Sequence, residues 1–334
     1  MVDDQGDEGG GATHARGDGA IARQGGGETW KKVKPLPVAP SPSRPVAFIP
    51  LIANHEIVTL PSASVLATLR RIRTGRSTAP HALAILADPV FSDDDGRVAL
   101  NARTKIESIQ GPDQSVREAP VAPTAKIVAD VERSAADSGI QVFRRLHFSR
   151  QEAEAITGLL PSSERLRALD FAADRRLALS GKLGEYRILH FATHGLLNNK
   201  VPALSGLVFS LVDERGQPRN GFLRLHEIYN LKLNADLVVL SGCQTALGQD
   251  VSGEGLIGLT RGFMHAGAPR VVASLWNVND QATANLMKLF YRGMLKDGLR
   301  PAAALRAAQI AMWQTEPNAV PYRWGAFILQ GDWN

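Results

Sequence analysis

Residues Asp236–Gly248 read DLVVLSGCQTALG and contain the clearest strand signal of the chain. The stretch opens with the apolar run Leu237–Leu240, which is closed by a serine and a glycine. A short unbroken apolar run of this kind is typical of a strand buried on both faces of a parallel sheet. The next residue is Cys243, the only cysteine of the 334-residue chain. Ligands bind beyond the carboxyl ends of such strands, so the sequence predicts that this thiol lies where chemistry usually occurs.

A second apolar run upstream, Arg187–Gly195 (RILHFATHG), ends in a histidine followed by a glycine. If the two strands are adjacent and parallel, His194 and Cys243 lie on one rim of the sheet. A thiol becomes a strong nucleophile when a base takes its proton or a cation stabilises its thiolate, and an imidazole can do either. Gly195 and Gly242 would allow close approach of a substrate, and the backbone N–H groups of Gly195 and Cys243 are candidates for an oxyanion hole. The alternative interpretation is a buried, inert thiol beside a core histidine.

Strand-like and helix-like segments alternate along the rest of the chain. This alternation predicts an α/β fold with a mostly parallel sheet and helices on both faces. Among the segments, we expect a strand over 141–148 and a helix over 162–181. Ser62 or Ser64 is expected to cap one helix, Asp280 another, and Ser149 with Glu152 forms the pattern of a capping box.

Composition narrows the classes of function. The net charge is +5 and the pI about 9.5, but the arginines occur in scattered pairs without an aromatic-rich basic stripe, so we expect no nucleic-acid partner. No apolar run approaches the ~18 residues of a membrane span, and the acidic amino terminus is unlike a secretory signal. A single cysteine does not make a disulfide framework. The expected location is the cytoplasm, without membrane attachment.

Residues 1–45 are rich in glycine and then in proline, and have few bulky apolar side chains. Such a segment buries too little surface to offset the entropy lost on ordering, so it is predicted to be disordered. Order is expected to begin near Val46.

Several motifs together resemble the CHAT family, whose members are caspase-like peptidases related to separase and the caspases. The motifs are HFATHG, LSGLVFS, LSGCQTALG, GEGLIGLTRGFMHAGAPRVVASLWNVND and the closing WGAFILQGDW. The resemblance implies a caspase-like α/β/α sandwich in two related halves, a degenerate half over 46–180 and a catalytic half over 181–334. The catalytic histidine of the family falls on His194 and its nucleophile on Cys243. Gly242 stands where the family more often has alanine.

The activity implied by the resemblance is cysteine endopeptidase chemistry through a thioester acyl-enzyme, without a cofactor. It implies cleavage of one or few protein substrates in signalling or defence. Family members are commonly attached to tetratricopeptide repeats, which this sequence lacks. Two alternatives stay open: a shortened gene model, or a separate activating or repeat-containing partner. The alternative is a catalytically silent caspase-like scaffold or protein-binding module.

Two further motifs have weaker interpretations. Residues 253–258 (GEGLIG) match a dinucleotide-binding pattern, but QTALGQDVS separates them from their strand, so close helix packing under the Cys243 loop is favoured. Glu254 is expected to hydrogen-bond that loop or to line a pocket. Gly242, Gln244 and Asp280 are the other candidates for these two roles. His190 and His194 would lie ~13 Å apart along a strand, so no metal site is expected and His190 is interpreted as a core residue.

Overall fold

The computed structural model describes residues 49–98, 133, 135–136, 142–198, 201–242, 254–276, 278–315 and 320–333, without the side chains of 72–73 and 254–256. Residues 50–334 form one compact unit. The segment predicted to be disordered, Cys243 and Gln244 all lie outside the described residues. Strands from both predicted halves join one sheet, and the division into halves stays a prediction.

The centre of the molecule is a seven-stranded sheet with strand order β1-β10-β9-β8-β4-β2-β3. Every neighbouring pair is parallel except β9 and β10, which are antiparallel. A small antiparallel sheet, β5-β6-β7, continues from the end of β4. The strands are β1 Val58–Thr59, β2 His81–Ala87, β3 Arg165–Leu169, β4 Tyr186–Ala192, β5 His194–Leu196, β6 Gly206–Val208, β7 Phe222–Arg224, β8 Leu237–Leu240, β9 Arg270–Ser274 and β10 Phe327–Gly331.

Helices cover both faces of this sheet. The helices whose bounds lie within the described residues are α1 Ala63–Arg73, α2 His147–Thr157, α3 Arg175–Leu179, α4 Leu225–Tyr229, α5 Glu254–His265, α6 Asp280–Leu295, α7 Pro301–Thr315 and α8 Pro321–Trp324. Alternate residues of β8 point to opposite faces: Val238 belongs to the core shared with α1, α4 and α5, and Val239 to the core shared with α2, α6 and α7. The expected α/β architecture with a mostly parallel sheet is confirmed.

In the part of the chain that the structure describes, every helix is too short or too polar to cross a bilayer.

Local capping chemistry agrees with the sequence at one helix and differs at two. Ser62 caps α1, since its hydroxyl accepts a hydrogen bond from the Val65 N–H. The cap of α6 is Asn279, not Asp280, which is the first residue inside the helix. Ser149 does not cap α2, because the helix begins two residues earlier, at His147. Its hydroxyl accepts from the Asp88 N–H and donates to the Leu146 carbonyl.

Two predicted elements are wrong. The helix predicted over 162–181 is instead a short 3-10 turn, the edge strand β3, a second 3-10 turn and the short helix α3. Arg165–Leu169 joins the sheet because it pairs in register with β2, a partner far away in sequence that local periodicity does not reveal. The strand predicted over 141–148 is absent in its described part. Val142–Leu146 belongs to no helix or strand, and α2 follows directly.

Candidate active site

The strands that carry the two predicted catalytic residues are adjacent and parallel. β4 and β8 pair in register from Ile188 opposite Leu237 to Phe191 opposite Leu240. Their carboxyl ends therefore meet at one rim, as the sequence predicted. His194 lies two residues past the end of β4, at the first position of β5, with Thr193 between the two strands. Because Cys243 lies outside the described residues, the distance between its sulfur and the His194 ring stays a prediction.

One ring nitrogen of His194 is held by a hydrogen bond, and the other has no partner among the described residues. Its Nε2 lies 2.6 Å from the carbonyl oxygen of Arg144. A carbonyl only accepts hydrogen bonds, so Nε2 carries the proton and donates it there. Among the residues described, Nδ1 is buried and has no hydrogen-bond partner. The neutral ring therefore has its lone pair on Nδ1, which is the atom available to take a proton.

His194 is buried against two aromatic rings. Its side chain is enclosed (1% exposed), and the rings of Phe91 and Phe143 lie 4.9 and 5.6 Å from the imidazole, centroid to centroid. Burial lowers the pKa of His194 to about 4, although the hydrogen bond to Arg144 acts in the opposite direction. The imidazole is therefore neutral at pH 7.

The two strand ends touch through their backbones just before the predicted catalytic residues. A Cβ at Gly242 would lie 2.4 Å from the Thr193 carbonyl oxygen, well inside the closest approach of real atoms. Glycine at 242 is thus a steric requirement of this arrangement. Gly195 is buried in β5 opposite Leu207, and its role in an oxyanion hole stays a prediction.

His190, four residues earlier, is a core residue, as predicted. Its side chain is fully buried, and Nδ1 lies 2.9 Å from the Tyr291 hydroxyl. Burial raises the pKa of Tyr291 well above its ordinary value, so the phenol is protonated and donates to Nδ1. The proton on His190 is then on Nε2, which lies 3.1 Å from the Ser241 hydroxyl and 2.9 Å from Glu152 Oε1. Glu152 Oε1 makes no hydrogen bond of good geometry within the described residues, so Ser241 is the better-oriented partner.

This buried network reaches the end of β8. The Ser241 N–H donates to the Phe191 carbonyl, while its side chain contacts His190. The strand end that leads to Cys243 is therefore tied to β4 through both backbone and side chain. Sequence reasoning singled out neither Ser241 nor Tyr291, because a serine after a strand and a tyrosine inside a helix are common and carry no motif.

The other candidates for pocket or loop support are only partly described. The Asp280 carboxylate accepts a hydrogen bond of 2.7 Å from the Phe148 N–H, which joins the first turn of α6 to that of α2. Burial is the main reason that the pKa of Asp280 is raised. The Glu254 side chain and all of Gln244 lie outside the described residues, so their roles stay predictions. Among the residues that are described, no three histidine, cysteine, aspartate or glutamate side chains cluster as metal ligands would.

The sequence matches a known family over most of its length. A model of the CHAT domain matches residues 35–332. The chain belongs to the CHAT domain family. The match begins ahead of Val46, where order was expected to start, and the boundary of the amino-terminal segment stays a prediction.

Curated relatives share part of this CHAT domain. Tetratricopeptide repeat protein 28 of Mus musculus is 35% identical over 113 residues, which is 34% of this chain and 4% of the relative. Its Homo sapiens counterpart is 35% identical over 105 residues, 31% of this chain and again 4% of the relative. The chain therefore spans only a small part of the length of these two proteins.

Solved structures of the Saccharomyces cerevisiae separase–securin complex are also similar. One match has 15% sequence identity and a TM-score of 0.43, and covers 83% of this chain and 14% of that one. A second has 13% identity and a TM-score of 0.41, with the same coverage.

Proposed function

We propose that this CHAT-domain protein is a cysteine endopeptidase with Cys243 as nucleophile and His194 as general base and acid. The observation that carries the proposal is the state of the His194 ring. Its Nε2 is fixed by the Arg144 carbonyl, and its Nδ1 is unpartnered among the described residues. The ring lies at the strand end beside the one that leads to Cys243. A positioned, neutral imidazole with a bare nitrogen is what a general base for a thiol requires.

The reaction follows from these two groups. Nδ1 of His194 takes the thiol proton as the Cys243 sulfur bonds to the peptide carbonyl carbon. The backbone N–H groups of Gly195 and Cys243 are proposed to stabilise the oxyanion. The tetrahedral intermediate then expels the amine, which leaves with the proton from the imidazolium, and a thioester remains. A water molecule, deprotonated by His194, attacks the thioester; the acid product departs and the thiol is restored.

The biological setting is proposed from the family. Controlled cleavage of one or few protein substrates in signalling or defence suits a caspase-like enzyme of the cytoplasm. The curated relatives are named for tetratricopeptide repeats, which supports a repeat-containing protein as activating partner.

A catalytically silent scaffold is the second candidate, and one observation favours it. His194 is closed off from solvent by Phe91 and Phe143, and its pKa of about 4 makes it a weak base toward a thiol of ordinary pKa. In that case the protein would act as a scaffold for protein assembly, and His194 and Cys243 would have only a packing role.

Covalent trapping separates the two candidates. Because the chain has one cysteine, mass that a peptidyl chloromethyl ketone adds to the wild type but not to Cys243→Ala reports on Cys243. A peptidase should be labelled in the wild type near pH ~7 and much more slowly in His194→Ala, since a thiolate reacts and a thiol of pKa ~8.5 does not. Equal labelling of the two proteins at the rate of a free thiol would favour the scaffold.

A further inference from the structure

Two aspartates end neighbouring strands in the same unusual conformation. Asp88 follows β2 directly and has φ 49°, and Asp170 follows β3 directly and has φ 53°. Left-handed backbone is uncommon outside glycine, and aspartate and asparagine are among the few side chains that accept it. Both residues also carry ion pairs with arginines, so their carboxylates are held as well as their backbones.

Asp88 is the more deeply placed of the two and is fully buried. Arg145 donates two parallel hydrogen bonds to its carboxylate, from Nε to Oδ1 at 2.8 Å and from Nη2 to Oδ2 at 2.7 Å. Arg150, on α2, donates from Nε to Oδ2 at 2.8 Å. Paired hydrogen bonds between a guanidinium and a carboxylate are strong and set orientation as well as distance.

The residue before Arg145 is Arg144, whose carbonyl accepts the hydrogen bond of His194. This carbonyl belongs to Val142–Leu146, which is part of no helix or strand. The backbone hydrogen bonds of a helix or sheet therefore do not fix the position of the Arg144 carbonyl. Side-chain contacts have to fix it instead. The hydrogen bonds between the side chains of Arg145 and Asp88 are such contacts. Arg145 directly follows Arg144, so these bonds act close to the Arg144 carbonyl.

We propose that Asp88 is a positioning residue for His194, acting through Arg145 and the Arg144 carbonyl. By fixing that carbonyl, Asp88 holds the proton of His194 on Nε2 and turns Nδ1 toward the end of β8. The consequence for catalysis rests on the function proposed above; the effect on the tautomer and orientation of the ring does not.

Asp170 supplies a matched contrast within the same cluster. Its carboxylate accepts hydrogen bonds from Arg97 and Arg150, and no contact of it with Arg145 is found among the described residues. Asparagine tolerates left-handed backbone, so Asp88→Asn and Asp170→Asn each remove one charge without new backbone strain. Arg150→Gln is the corresponding control for Arg145→Gln, because Arg150 also binds Asp88 but lies on α2 rather than beside Arg144.

The direct test is ¹⁵N NMR of the His194 ring in the full-length protein. In the wild type, Asp170→Asn and Arg150→Gln, the spectrum should show the Nε2–H tautomer with a slowly exchanging proton. In Asp88→Asn and Arg145→Gln, that proton should exchange rapidly and the Nδ1–H tautomer should appear. Wild-type spectra in Asp88→Asn and Arg145→Gln would overturn the proposal. If Asp88→Asn does not fold, the comparison of Arg145→Gln with Arg150→Gln decides alone.

The functional arm measures the rate at which iodoacetamide alkylates Cys243 between about pH 5 and about pH 9, where a thiolate forms. Asp88→Asn and Arg145→Gln should each slow the reaction about tenfold at neutral pH, because a misplaced base is a poor one. The double variant should be no slower than either single variant, as expected for residues that act in series. Asp170→Asn should stay within about twofold of the wild type. Equal slowing by Asp88→Asn and Asp170→Asn would contradict the positioning role.

The two arms also separate this inference from the proposed function. If His194→Ala alkylates like the wild type, the peptidase proposal fails, and the NMR comparison still decides whether Asp88 positions the ring. If His194→Ala is slow and Asp88→Asn is not, the peptidase proposal stands and the positioning role is wrong.

Discussion

The backbone of Gly242 packs directly on that of Thr193, so closely that a Cβ at 242 would lie 2.4 Å from the Thr193 carbonyl oxygen. Each of these residues precedes one member of the predicted catalytic pair, His194 and Cys243. The contact therefore sets the spacing of the two strand ends at the point where the chemistry is expected. A side chain of any size at position 242 has to push them apart.

Gly242→Ala should consequently lower the free energy of unfolding by about 1–3 kcal/mol, the usual cost of overpacking. It should also slow alkylation of Cys243, because the strand ends separate. Chemical denaturation and the iodoacetamide rate measure the two effects. Gly96→Ala is the control: among the described residues outside its own turn, no atom lies within 4 Å of its added Cβ, so it should be neutral or slightly stabilising. An unchanged stability in Gly242→Ala would show that the strand ends adjust freely.

Burial of neutral His194 should make stability depend on pH. Its pKa is about 4 when folded, and about 6.5 is expected when unfolded, so the unfolded chain binds more protons between these values. The contribution of His194 is thus complete above pH ~6.5 and is lost as the pH falls toward about 4, amounting to about 3 kcal/mol. Denaturant melts of the wild type and His194→Gln should converge over this range. Parallel curves would mean that the His194 ring is accessible to solvent.

Removing the aromatic cover of His194 should raise its pKa. The Phe143 ring lies 5.6 Å from the imidazole, and Phe143→Ala would admit water that solvates the charged form. NMR titration of the ring should then give a pKa between about 4 and the ordinary value of about 6.5. Phe143→Leu keeps an apolar cover and should change the pKa much less. A pKa that does not move in Phe143→Ala would contradict desolvation as the cause.

The hydrogen bond from Tyr291 to His190 should contribute measurably to stability. Tyr291→Phe removes only the hydroxyl and leaves Nδ1 of fully buried His190 without its donor. Such a loss costs about 1–3 kcal/mol, which chemical denaturation resolves. Tyr229→Phe, at a half-buried tyrosine, should cost less than about 0.5 kcal/mol. Equal melting of both variants would mean that another group satisfies His190.

Features with a strong local pattern could be predicted from the sequence. The apolar runs that form β4 and β8 are buried on both faces of the sheet. Such a strand is recognisable because nearly every residue in it is apolar. Ser62 was identifiable as a cap because capping needs only a side chain and an N–H three residues on. The edge strand β3 was not recognisable, because it has a partner strand on only one side among the described residues and its mixed pattern fits a helix equally well.

The α/β alternation, the family, and the position of His194 near the end of a strand beside the one that leads to Cys243 could all be inferred from the amino-acid sequence. Three contacts became visible only in the folded chain: the hydrogen bond of His194 Nε2 to the Arg144 carbonyl, the ion pair of Asp88 with Arg145, and the packing of Gly242 on Thr193. These contacts could not be predicted because the residues that form them are far apart in the sequence. Periodicity, capping and strand burial depend on neighbours a few residues away, whereas these contacts join segments that are 49 to 57 positions apart and meet only when the sheet has formed.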